Sequence, residues 1–234
     1  MAYQLNQYGQ PVGLDVPDWN GCLRPSGETL SGKYCRLEQV NPALHGDDLY
    51  SAYQQAADSR DWTYLSVGPF ADRQGFETYL QQMAVSRDPI HYTVIDQQNG
   101  KALGTLALMR IDQKNGVIEV GFVTYSPDLK RSRIATEAQF LLMFYALDSL
   151  GYRRYEWKCD ALNAPSRAAA LRLGFQFEGI FRNHVIYKGH TRDTAWFSII
   201  DNDWARLKPA YLTWLNENNF DENGKQKTRL SELI

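Results

Sequence analysis

One stretch, residues 117–150, constrains the fold of this 234-residue chain more than any other. It begins with β-branched and aromatic residues from Val117 to Tyr125, which favour a buried strand. Ser126-Pro127-Asp128 ends that strand, because proline has no N–H group to donate to a sheet. Strong helix formers follow from Ala135 to Leu147. The sequence therefore predicts a strand, a short loop and a long helix.

Three cations, Lys130, Arg131 and Arg133, lie in the loop just before the predicted helix. A helix N-terminus presents backbone N–H groups without intrahelical acceptors, together with the positive end of the helix dipole. A run of charges is usually only a solvated surface. Its position at a helix start favours an anion site instead, with phosphate or pyrophosphate as the natural ligand.

Composition excludes several classes of protein. A hydrophobic content of 44% and a charged content of 22% are ordinary for a globular chain of one or two domains, and a net charge of −2 does not indicate a broad nucleic-acid-binding surface. The three cysteines, Cys22, Cys35 and Cys159, have no C-x-x-C spacing, which fits a reducing cytosol rather than disulfides. The four histidines show no ligand spacing, so we expect no metal. We expect neither a signal peptide nor a membrane span, because no apolar run approaches about 20 residues.

The order of predicted elements is β–α–α–β–β–β–α–β–α–β–β. The next-to-last strand, Phe175–Phe177 and Arg182–Tyr187, is expected to be interrupted near Gly179. Asn99-Gly100 and Asn115-Gly116 mark two hairpin turns, so three antiparallel strands precede the long helix. This order predicts an α/β fold with a mixed sheet. We expect residues 1–32 to form an extended N-terminal arm, although a floppy terminus fits them equally well. Residues 33–217 are expected to form the domain, and residues 218–234 a polar, loose C-terminal tail.

Two motifs carry a family resemblance. The loop Lys130-Arg131-Ser132-Arg133-Ile134-Ala135 resembles the (Q/R)-x-x-G-x-(G/A) pyrophosphate cradle of GNAT N-acetyltransferases, with Lys130 for Gln or Arg and Arg133 for Gly. Asn163-Ala164-Pro165-Ser166, then Leu173-Gly174-Phe175 and Glu178-Gly179, resembles the more specific N-x-x-S…L-G-F…E-G signature of the ribosomal-protein (RimJ/RimL-like) branch. The resemblance covers about residues 33–205. It implies a mixed, mostly antiparallel sheet that is split by a CoA cleft and flanked by helices on both faces.

The resemblance implies acetyl-CoA as co-substrate and no metal. The strand before the cradle would separate from the next strand, so that backbone groups at 122–125 and 157–160 hold the pantetheine arm and the thioester. Asn163 would bind the pantetheine amide or cap the following helix, and we expect the former. Arg133 in place of glycine implies that the cradle needs no positive φ there. The expected cofactor-binding residues are Phe122, Val123, Thr124, Arg131, Ser132, Arg133, Ile134, Ala135, Thr136, Asn163 and Ser166.

Glu119 and Ser166 are the expected catalytic residues. Glu119 interrupts an apolar strand, and burial beneath helices would make its carboxylate a better proton acceptor, although a lone glutamate on a strand is most often solvated. Many family members use a tyrosine as general acid at the position of Ala170. The resemblance assigns that role to the Ser166 hydroxyl, and the alternative is that Ser166 only caps a helix.

We therefore expect an N-acetyltransferase that moves an acetyl group to a primary amine by direct attack in a ternary complex. The acceptor is left open between a small molecule and a protein N-terminus, and a homodimer is also left open. Nucleic acid and membrane are not expected partners. The alternative is a non-catalytic acyl-CoA-binding sensor or scaffold, which the missing tyrosine at Ala170 supports.

Overall fold

The computed structural model describes residues 3–234, and a single eight-stranded sheet organises them. The elements in chain order are β1 (Gln4–Leu5), β2 (Pro11–Val12), β3 (Leu30–Ser31), β4 (Cys35–Gln39), α1 (Pro42–Gln54), α2 (Arg73–Val85), β5 (Ile90–Asp96), β6 (Ala102–Asp112), β7 (Val117–Tyr125), α3 (Arg133–Phe144), β8 (Arg154–Asp160), α4 (Ala164–Arg172), β9 (Gln176–Tyr187), β10 (His190–Ile200) and α5 (Asp201–Trp214). A π-helical turn, Tyr145–Ser149, continues α3.

The strand order in the sheet is β3-β4-β5-β6-β7-β8-β10-β9. All neighbouring strands are antiparallel except β7 and β8, which are parallel. The mixed, mostly antiparallel sheet is therefore confirmed. Both predicted hairpin turns are present, and Gly100 and Gly116 adopt φ values of 74° and 65° that glycine accepts without strain.

Helices cover both faces of the sheet, as predicted. On one face, α3 packs on β3 and β4 and α5 packs on β10, around a core that includes Phe140, Tyr155 and Tyr211. On the other face, α1 and α2 enclose a smaller cluster that includes Leu49 and Leu80. Burial of these apolar side chains supplies most of the free energy that holds the helices on the sheet.

Helix α3 and strand β9 differ from the prediction. Helix α3 begins at Arg133 rather than Ala135, because the Ser132 hydroxyl accepts a hydrogen bond from the Ala135 N–H group (3.0 Å) and so starts the helix earlier. Strand β9 is continuous where the sequence predicts an interruption near Gly179. The irregularity is absorbed by a shift in its register with β10 between Trp196 and Phe197, as a β-bulge allows.

The C-terminal segment is not loose, which corrects the prediction for residues 218–234. The side chains of Phe220 and Leu230 are 8% and 1% exposed and belong to the main core. Their sequence neighbours are polar, so no periodic apolar pattern marks the segment as part of the domain. At the other end of the chain, Trp19 and Cys22 lie against the β6–β7 turn, where Trp19 Nε1 donates to the Lys114 carbonyl at 2.7 Å.

Candidate active site

Strands β7 and β8 pair only over their first residues. Their parallel register runs from Val117 opposite Arg154 to Val120 opposite Trp157 and then stops. Beyond this point β7 stays paired with β6, and β8 stays paired with β10 as far as Asp160. The two strands therefore separate in the region that the sequence predicts, and backbone groups on the facing edges have no partner strand.

A bulge at Phe122 accompanies the separation. The register between β6 and β7 shifts between Thr105 and Ala107, and Phe122 adopts a φ of 48°. A bulge bends its strand and increases the local twist. The ring of His91 contacts that of Phe122 edge-on, with centroids 5.2 Å apart, which fixes the bulged residue against β5.

A cleft of about 1330 Å³ joins the strand gap to the N-terminus of α3. Most of the expected site residues line it, namely Glu119, Phe122, Val123, Arg131, Ser132, Arg133, Ile134, Ala135, Thr136, Asn163 and Ser166. Thr124 does not line the cleft. Its side chain is buried and its carbonyl accepts a hydrogen bond from the Tyr53 hydroxyl (3.1 Å), so Thr124 is tied to α1 instead.

The cradle at the start of α3 keeps part of its hydrogen-bonding capacity. Within residues 3–234, the backbone N–H groups of Arg131, Arg133 and Ile134 have no hydrogen-bond acceptor. The Ala135 N–H group, expected to be free, is taken by Ser132. The left-handed conformation falls on Arg131 (φ 60°) and not on Arg133, as the replacement of glycine by Arg133 implies. Arg131 costs strain in this conformation that glycine would avoid.

The three cations of the loop have different surroundings. Lys130 is neutralised by Asp61, with 2.5 Å between Nζ and a carboxylate oxygen. The Arg133 guanidinium lies over the Tyr34 and Phe220 rings, at 4.4 and 5.6 Å from their centroids. Arg131 is exposed and has no carboxylate within 4 Å in the described chain. Two of the three cations therefore remain available to an anion.

Glu119 is buried, 3% exposed, and it lines the cleft on the sheet face opposite α3. Arg110 Nη1 donates to both carboxylate oxygens (2.9 and 2.8 Å), and Lys158 Nζ lies 2.8 Å from Oε2. Lys158 also pairs with Glu156 at 2.7 Å and lies 3.9 Å from the centroid of the Trp196 ring. The expected burial is present, but the ion pairs are not predicted by the sequence analysis. Alternating charges at Arg154, Glu156 and Lys158 along β8 were the available signal.

Ser166 is the third residue of α4, and Asn163 is the cap of that helix. Asn163 Oδ1 accepts from the Ser166 N–H group at 3.1 Å, so the capping alternative holds for Asn163 and not for Ser166. The indole N–H of Trp157 donates to Ser166 Oγ at 3.0 Å. A hydroxyl that accepts this bond still has its own hydrogen to donate.

Several residues of the cleft carry no motif and were missed. Arg172, Trp214, Gly224, Lys225 and Gln226 lie near the cradle end. Tyr187 also lines the cleft, and its hydroxyl donates to Asp160 at 2.8 Å. Burial, and to a smaller extent the neighbouring Asp160 carboxylate, raises the pKa of Tyr187 to about 12. Tyr187 therefore remains protonated near neutral pH.

Residues 3–234 contain no cluster of three or more histidine, cysteine, aspartate or glutamate side chains that could hold a metal ion. None of their helices has the length and apolar character needed to cross a membrane.

Comparison with known proteins identifies the family. Residues 36–176, more than half of the chain, match the family model described as "Acetyltransferase (GNAT) domain". The chain belongs to the GNAT acetyltransferase family. The GNAT fold is thereby confirmed, and membership implies acetyl transfer with acetyl-CoA as donor.

Three similar proteins support this membership. A GCN5-related N-acetyltransferase from Brucella melitensis is 48% identical, with a TM-score of 0.91 over 93% of this chain and 99% of that chain. "Uncharacterized N-acetyltransferase p20" of Bacillus licheniformis is 29% identical over 61% of this chain and 81% of its own length. "Putative ribosomal N-acetyltransferase YdaF" of Bacillus subtilis is 28% identical over 47% of this chain and 60% of its own length.

Proposed function

We propose that this GNAT protein is an acetyl-CoA-dependent N-acetyltransferase in which a primary amine attacks the thioester directly in a ternary complex. The observation that carries the proposal is the strand gap, because it connects a cradle with free N–H groups to the buried carboxylate of Glu119. Direct transfer needs both substrates together, and positioning of this kind supplies much of the rate.

The residues of the cleft fit acetyl-CoA. The diphosphate would be held by the free N–H groups of Arg131, Arg133 and Ile134, together with the guanidinium groups of Arg131 and Arg133. Unpaired backbone groups of β7 at Phe122 and Val123 would hold the pantetheine arm in the gap. The bound coenzyme supplies an acetyl group activated as a thioester.

Glu119 would accept the proton of the amine, directly or through water. A carboxylate has about four lone-pair positions, and Arg110 and Lys158 use three of them. One position on Oε1 remains for the amine. The two cations also fix the carboxylate, so the acceptor meets a base whose orientation is already set.

Ser166 would protonate the departing CoA thiolate. Trp157 occupies a lone pair of Ser166 Oγ, which leaves the hydroxyl hydrogen free to donate toward the cleft. Ala170 stands where many family members have a tyrosine, and it is buried. Its side chain has no hydroxyl that could protonate the thiolate, which fits the assignment of this role to Ser166.

We further propose that the protein belongs to the ribosomal-protein N-terminal acetyltransferase branch. The N-x-x-S, L-G-F and E-G motifs support this branch, as does the similarity to the B. subtilis relative whose name mentions ribosomal acetylation. The acceptor would then be a protein N-terminus, with a small primary amine as the alternative. Residues 1–32 and the 61–71 loop are the segments expected to select it.

Release of free CoA thiol from acetyl-CoA in the presence of a panel of amines and N-terminal peptides tests the proposal. We expect thiol release that depends on one class of acceptor, with acetylated product detected by mass spectrometry. Tight CoA binding in calorimetry without turnover on any acceptor would instead favour the non-catalytic sensor. The ion pairs on Glu119 are the observation that keeps this second function in consideration.

A further inference from the structure

The C-terminal hairpin, which we define as residues 219–227, lies outside the region that matches the family model. Its strands are joined by hydrogen bonds from Asp221 N to the Lys225 carbonyl (3.0 Å) and from Lys227 N to the Asn219 carbonyl (2.6 Å). The Asp221 carboxylate accepts from the N–H groups of Asn223 and Lys225. These hydrogen bonds pair the polar groups of the turn with one another and fix the backbone at Lys225.

Two side chains attach this hairpin to the domain. Gln226 Oε1 accepts from the indole N–H of Trp214 at 2.9 Å. The ring of Phe220 is buried and contacts the rings of Trp214 and Tyr34, with centroids 5.1 and 6.1 Å apart. The hairpin is therefore held between α5 and the start of β4, beside the cradle.

The hairpin forms a wall of the same cleft that contains the cradle. Phe220, Gly224, Lys225 and Gln226 line the cleft together with the first turn of α3. Phe220 also orients Arg133, whose guanidinium lies over its ring. The segment after the catalytic fold thus shapes the cradle end of the cleft directly.

Four cations at this end of the cleft lack a counter-charge. Arg131, Arg133, Arg172 and Lys225 have no carboxylate oxygen within 4.0 Å among residues 3–234, whereas Asp61 and Glu119 in the same cleft are already paired. Arg172 is fixed in place, because it donates to Thr136 Oγ1 at 3.2 Å and lies 5.4 Å from the centroid of Trp214. Such a set attracts a ligand with several negative charges.

CoA is a ligand of that kind, since its nucleotide carries a diphosphate and a 3′-phosphate. We propose that the C-terminal hairpin is part of the coenzyme site and that Lys225, together with Arg172, binds phosphate groups of the CoA nucleotide. This inference rests on the proposed use of acetyl-CoA. The hairpin, which lies outside the region that matches the family model, would then form a second wall of the coenzyme site beside the cradle of α3.

Calorimetric titration with CoA tests the role of Lys225. We expect Lys225→Ala to raise the Kd for CoA about three- to tenfold, as the loss of one charge-assisted contact does, and Lys225→Glu to raise it further. The dependence of Kd on salt concentration should become shallower in Lys225→Ala, because one cation fewer meets the phosphates. Lys225 is exposed, so folding is expected to be unaffected.

Lys227→Ala is the matched control. Lys227 belongs to the same hairpin but does not line the cleft, and its Nζ donates to the Asn218 carbonyl at 3.0 Å. Its Kd for CoA should stay within about twofold of the wild type. Equal affinities of the Lys225→Ala and Lys227→Ala variants would overturn the inference while leaving the proposed function intact. Absence of CoA binding by the wild type would overturn the proposed function itself.

Discussion

At the scale of single residues, the proposed role of Glu119 as the general base can be tested directly. The variant Glu119→Gln keeps the size of the side chain but cannot accept a proton. We expect kcat to fall by about 10²- to 10⁴-fold, the usual contribution of a general base, with little change in the Kd for CoA. Initial rates of thiol release and calorimetry measure the two quantities separately.

Glu156→Gln provides the control for the ion-pair network. Glu156 pairs with the same Lys158 but does not line the cleft. This variant should retain most of its activity. Equal losses of kcat in the two variants would mean that Glu119 acts only through the network around Lys158, and it would lose its assignment as base.

Ser166 allows a second test at this scale. Ser166→Ala removes the proposed proton donor to the thiolate, and we expect kcat to fall by about 10²-fold, at the lower end of general-acid contributions. Ser166→Thr keeps a hydroxyl beside Trp157 and should recover much of the rate. Acetyl transfer at saturating acetyl-CoA measures both variants. A Ser166→Ala enzyme as fast as the wild type would contradict the role.

At the scale of elements, α3 supports the sheet as well as the cradle. Glu137 of this helix is 3% exposed. Its carboxylate accepts hydrogen bonds of 2.7–2.8 Å from the backbone N–H groups of Lys33, Tyr34 and Cys35. Glu137→Ala leaves three N–H groups without an acceptor, two of them in buried hydrogen bonds. We expect a loss of about 3 kcal/mol in the free energy of unfolding, measured in urea.

Glu77→Ala is the control for this loss. Glu77 lies on the exposed side of α2 and forms an i,i+4 ion pair with Arg73, which contributes only about 0.5 kcal/mol. A Glu137→Ala variant as stable as Glu77→Ala would show that water replaces the missing acceptor.

The predictability of these elements from sequence follows the range of the interactions. The hairpins at Asn99-Gly100 and Asn115-Gly116 were predictable, since the turn residues themselves set the backbone conformation. The strand gap was predictable from the family motifs around it. The contact of Glu119 with Lys158 and that of Phe220 with Tyr34 were not, because they join residues far apart in the chain and depend on packing that has no local pattern.

At the scale of the whole molecule, buried histidines make stability depend on pH. His91 is 4% exposed, its Nδ1 has no hydrogen-bond partner in the described chain, and burial lowers its pKa from 6.5 to about 4. The folded state therefore keeps His91 neutral where the unfolded state binds a proton. The contribution of His91 to the free energy of unfolding is present in full above pH 6.5. It decreases as the pH falls from 6.5 through 4, and the total loss is about 3 kcal/mol.

The variant His91→Phe isolates this contribution, because an aromatic ring remains against Phe122 but no longer titrates. We expect the free energy of unfolding to depend less steeply on pH between 6.5 and 4 in this variant. Some dependence remains, since burial also lowers the pKa of His45. His190→Gln, at an exposed position, should retain the wild-type slope. Identical slopes for His91→Phe and the wild type in urea titrations across this range would mean that His91 gains access to water in the native state.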